Sequence, residues 1–93
     1  MAFEYIHRTL HAQRRLLDRP EISAADVEEA IRAPDQRVPD PAHPGHRIAH
    51  KRLDRPGSPI LLRVFYADAG GGEAVMLSFY RTSQVGRYWR TDQ

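Results

Sequence analysis

The chain has 93 residues, 41% hydrophobic and 28% charged, with a formal net charge of +2 and no cysteine. That apolar share supports a core and argues against a disordered chain, and the length fits a single domain over residues 1–93. Without cysteine there are no disulfides, no thiol catalysis and no cysteine-ligated zinc, and no apolar run nears the roughly 20 residues of a membrane helix.

Taken in chain order, residues 3–18 read as an amphipathic helix, with Phe3, Ile6, Leu10 and Leu17 on one stripe. Pro20 stops it. Ser23 starts a second helix as N-cap, with Asp26 three residues on and Ile22 and Val27 placed as a hydrophobic staple. Val27, Ala30 and Ile31 form its apolar stripe, and Pro34 ends it. Residues 34–45 hold four prolines and a glycine and read as a loop. Three strands follow, at 46–53, 59–66 and 73–81, the last with Val75, Leu77 and Phe79 on one face. The linkers "DRPGS" and "ADAGGG" suit an antiparallel meander. The expected fold is α+β: two N-terminal helices packed on one face of a three- to four-stranded antiparallel sheet, in the order ααβββ.

Charge is unevenly spread. Residues 1–45 carry six basic and eight acidic side chains, residues 46–93 eight basic and four acidic, and thirteen of the fourteen basic residues are arginine. Guanidinium forks suit phosphate. On a continuous helix His7, His11, Arg15 and Arg19 fall four residues apart in one column, and His11 sits at the edge of the apolar stripe, within reach of the sheet. His7 and His11 have the spacing of a shared zinc, with His43, His46 or His50 as a third ligand. Position 8 is Arg, so there is no His-Glu-x-x-His motif, and Arg8 and Arg15 disfavour a dication. Neither a metal nor a cofactor is expected. Arg47 and Lys51 share strand parity, and Arg63 stands inside an apolar strand, where a charge needs a partner or an open face. Tyr80 and Arg81 end the third strand beside Thr82 and Ser83, a setting suited to a site.

The order "HAQRRLLDR", "IS", "DVEEAIRAPD", a basic strand and a closing "FYRTS…RYW" resembles the family named domain of unknown function 4258 (DUF4258) from about His11 to Trp89. His11-Ala12 with Arg15 and Arg19, Val27 to Pro34, and Ser78-Phe79-Tyr80 carry the resemblance. It implies a fold similar to the RelE/ParE-type bacterial toxins, a group holding both metal-independent ribonucleases and proteins that poison gyrase without cutting. The resulting expectation is a toxin-like, metal-independent endoribonuclease of a toxin–antitoxin module. His11 would act as general base or acid and Tyr80 would orient the substrate or act as partner acid, with Arg15, Arg47, Lys51, Arg63 and Arg81 on phosphate. The alternative is a non-catalytic module of the same fold that binds protein or nucleic acid. RNA and a cognate antitoxin are the implied partners, with no membrane. A homodimer through an exposed third strand and a cytoplasmic location are further expectations.

Overall fold

A computed structural model describes residues 3–53 and 57–91. The elements are β1 (Tyr5–Arg8), α1 (Leu10–Asp18), α2 (Ala24–Arg32), β2 (Gln36–Pro39), β3 (His46–Arg52), β4 (Leu61–Gly70), β5 (Glu73–Thr82) and α3 (Val85–Tyr88). They form an α+β fold around one five-stranded sheet of order β1-β5-β4-β3-β2. β2 to β5 are the antiparallel meander, and β1 adds to β5 in parallel. No helix among the described residues is long and apolar enough to cross a membrane.

This corrects the helix-first, three- to four-stranded expectation in three places. The expected helix over 3–18 is a strand and a shorter helix. Thr9 separates them: its hydroxyl accepts from Ala12 N at 3.1 Å as the α1 N-cap, and the aromatic and β-branched residues before it favour pairing with β5. The expected stripe breaks accordingly. Phe3 and Ile6 pack on the core from the β1 side, Leu10 and Leu17 are 67% and 75% exposed, and Ala12 and Leu16 face inward instead. The expected loop 34–45 contains β2, whose Val38 is buried. Pro39 fits there because β2 is an edge strand. In β5, a register shift opposite Phe65 and Tyr66 inserts Leu77. That bulge breaks the alternation, so Phe79 faces the core as expected, but with Met76 and Ala74 in place of the expected Val75 and Leu77.

The second helix matches its reading. The Ser23 hydroxyl accepts from Ala25 N and Asp26 N, and Ile22 and Val27 are both buried. α1 and α2 cover one sheet face, where Ala12, Ile22, Val27, Ala30 and Ile31 meet Ala49, Leu62, Val64, Tyr66, Met76 and Phe79. The β4–β5 turn runs through Gly70, Gly71 and Gly72, all at positive φ, where a side chain would be strained. Part of the "DRPGS" linker, residues 54–56, lies outside the described residues.

Candidate functional site

β1 pairs only with Glu73–Met76, and α1 takes over the edge of β5 beyond that point. Thr9 N donates to Met76 O at 3.1 Å, and the Thr9 hydroxyl donates to Leu77 O at 3.4 Å. Arg15 Nη2 donates to Phe79 O at 2.9 Å. The helix therefore runs beside the strand and holds His11 Nε2 3.4 Å from Ser78 Oγ. Arg15 Nε is buried with no hydrogen-bond partner among the described residues.

Past Arg15 the edge opens into a cleft of about 260 Å³, lined by Arg15, Arg19, Glu21, Tyr80, Arg81, Thr82 and Ser83 among others. Glu21 lies 3.9 Å from both Arg19 and Arg81. One carboxylate thus lies between two guanidinium groups, with that of Arg15 on the same cleft wall, so the lining carries an excess of positive charge and the hydroxyls of Tyr80, Thr82 and Ser83, a setting for an oxyanion.

On the sheet face away from α1 and α2, Arg63 is the centre of a polar and aromatic cluster. Its Nε donates to His50 Nε2 at 3.1 Å and its Nη1 to the Tyr80 hydroxyl. Its guanidinium lies 4.0 Å from the Tyr88 ring centroid, within cation–π range. His50 is fully buried, and its Nδ1 stands 2.9 Å from Gln36 Oε1. Burial first, then the charges of Arg63 and Arg90, lower its pKa to about 4. His50 is therefore neutral at pH 7, with Nδ1–H donating to Gln36 and Nε2 accepting from Arg63. Burial also raises the Tyr80 pKa, against the opposing pull of Arg63, so its hydroxyl keeps its proton at neutral pH.

Of the residues singled out in the sequence, the structure brings Arg15, Tyr80 and Arg81 to one cleft, with His11 a helical turn before Arg15 on the same edge. Arg63 reaches this group through the Tyr80 hydroxyl. Lys51 is elsewhere: its Nζ donates to Ala33 O at 3.0 Å and caps α2. Arg47 is exposed on β3, outside the cleft. The four-residue column is split, because His7 belongs to β1 and pairs with Glu73 at 2.5 Å. His7 and His11 are not a helical zinc pair. The third strand of the expectation, β5, is flanked by β1 over Glu73–Met76 and by α1 beyond, rather than standing as a bare edge. Arg19, which also lines the cleft, is missing from the phosphate set expected from the sequence, although its place one turn after Arg15 signals it. The buried role of His50 leaves no trace in the spacing. Comparison with protein-family models, curated proteins and solved structures finds no match for this chain.

Proposed function

We propose that the chain is an RNA-binding, toxin-like module that holds a phosphodiester in the α1–β5 cleft. The observation that carries this reading is the convergence of Arg15, Arg19 and Arg81 on a cleft of about 260 Å³ with a single opposing carboxylate. A cleft of this size at a sheet edge suits one nucleotide of a single strand, with Thr82 and Ser83 as hydroxyl partners and Tyr80 in its wall. RNA is the strand to test because DUF4258, which the sequence resembles, is similar in fold to a toxin group that includes ribonucleases. Fluorescence anisotropy with single-stranded RNA tests the reading. Arg81→Ala is expected to weaken binding at least threefold while Arg47→Ala leaves it unchanged. Equal loss in both variants would place the contact on a diffuse basic face instead, and equal affinity for DNA of the same sequence would remove the preference for RNA.

A second reading, metal-independent cleavage, is favoured by His11 standing on Ser78 one turn from Arg15. The ribose 2′-oxygen would bond to phosphorus as the bond to the 5′-oxygen breaks. His11 would take the 2′-hydroxyl proton, and Tyr80 would deliver one to the leaving oxygen. Arg15 and Arg81 would stabilise the phosphorane. Cleavage in the presence of EDTA that falls about 100-fold in His11→Ala supports this chemistry. No cleavage by the native chain leaves the module as a binder.

A further inference from the structure

The connection between β2 and β3 carries a set of donors unrelated to the α1–β5 cleft. Asp40, His43 and His46 each present one ligand atom, and these atoms all lie within 4.8 Å of one another. The spacing is Asp-x-x-His-x-x-His. We propose that these three side chains bind a divalent transition metal ion of the zinc class.

The loop is built to hold the set. Asp40 N donates to His46 O at 3.1 Å, His43 N to Asp40 O at 3.3 Å, and His46 N to His43 O at 3.0 Å. Gly45, at φ +88°, makes the turn that returns the chain to His46. The Asp40 carboxylate is largely buried, 8% exposed, and Ala42 N donates to its Oδ1 at 2.9 Å. That contact fixes the ligand's orientation, as outer-shell partners do around bound metals. Among the described residues no lysine or arginine lies within ion-pairing distance of this carboxylate. Its other oxygen, Oδ2, faces His43 Nδ1 at 3.4 Å. A tetrahedral ion with bonds of about 2.0–2.1 Å holds its donors roughly 3.4 Å apart, so this edge of the site is already set. The remaining contraction, on the order of 1 Å, falls on imidazoles stacked at 5.3 Å, of which His43 is 65% exposed.

Two imidazoles and one carboxylate select a borderline metal such as zinc over magnesium or calcium, which take all-oxygen sites. Three protein ligands leave a fourth position open. Asp40 also lines a cleft of about 340 Å³ with Arg63, Arg87, Tyr88 and Arg90. The fourth position is left for a water or other exogenous oxygen.

Calorimetric titration of the tag-free chain with Zn2+, then Co2+, then Mg2+ tests the proposal. The expected result is one Zn2+ per chain in the micromolar range, a tetrahedral Co2+ visible spectrum, and no competition by Mg2+. His43→Ala and the isosteric Asp40→Asn are each expected to weaken binding tenfold or more, with circular dichroism unchanged. His7→Ala, at the other carboxylate–histidine pair, is expected to bind as the native chain does. Saturation only in the millimolar range, or affinity that survives both ligand substitutions, overturns the site.

Discussion

At the scale of single residues, the decisive feature is a relay rather than one reactive group. Gln36 Oε1 accepts from Arg90 N at 3.0 Å and from His50 Nδ1 at 2.9 Å. Arg63 donates to His50 Nε2 on one side and to the Tyr80 hydroxyl on the other, which completes the relay. Each donor finds one acceptor only while His50 is neutral. Protonation would put a second N–H against the Arg63 guanidinium. The folded-state pKa of about 4 lies below the 6.5 of a free histidine, so between those values the unfolded chain binds the extra proton. Stability is then fully present above pH 6.5 and falls as pH drops toward 4. The loss reaches on the order of 3 kcal/mol once His50 is protonated in both states. Urea unfolding at pH 7 and pH 4.5 measures it, with His50→Gln as reference because carboxylates titrate in both proteins. The native chain is expected to lose more stability than the variant across this range. Parallel losses would show that His50 does not control the acid limb. Arg63 was legible in the sequence as a cation needing a partner, but its partners were not. Tyr80 and His50 are 17 and 13 residues away in sequence, and only the strand register brings them opposite it.

At the scale of elements, the readings that held rest on local chemistry, and those that failed depend on what lies across the sheet. Ser23, with its staple, marks α2 because a cap is decided within a few residues. Helical periodicity over 3–18 gave one helix because Phe3, Ile6 and Leu10 satisfy a 3.6-residue period, while the competing signal, Thr9 as a cap, is a single side chain. The Leu77 bulge is similarly invisible, since one inserted residue changes parity without changing composition. Arg15 shows how an element's fit sets a residue's role. It reads as a phosphate ligand, yet one of its nitrogens already closes the β5 edge at Phe79 O. Arg15→Ala is expected to cost about 1–2 kcal/mol by leaving the carbonyl of buried Phe79 without its donor. For a domain of this size that is a fall of roughly 4–8 °C in Tm per kcal/mol. The uncovered edge should also raise self-association at high concentration. Thermal melting and size-exclusion chromatography read both effects. An unchanged Tm would mean that water replaces the guanidinium at no cost.

At the scale of the whole molecule, the question is whether binding is a property of the basic half or of one cleft. The net charge is only +2, so long-range attraction to a polyanion is weak. Any tight binding must come from a few placed cations. The C-terminal half carries eight basic residues, but Lys51 is engaged with the end of α2 and Arg63 with the relay across the sheet. The cleft offers Arg19 and Arg81 together with the charge of Arg15, which reaches it while one of its nitrogens holds Phe79 O. Salt dependence separates the two cases, because each phosphate contact to a single strand adds about −0.7 to the slope of log affinity against log salt. Three contacts give a slope of about −2, whereas engagement of all eight basic residues of that half gives about −6. Anisotropy titrations across a series of salt concentrations are expected to return the smaller slope, and Arg81→Ala should reduce it by about 0.7. A slope near the larger value, unmoved by Arg81→Ala, would shift the interface from the α1–β5 edge to the basic half as a whole. The positive bias of that half would then be the functional feature in itself.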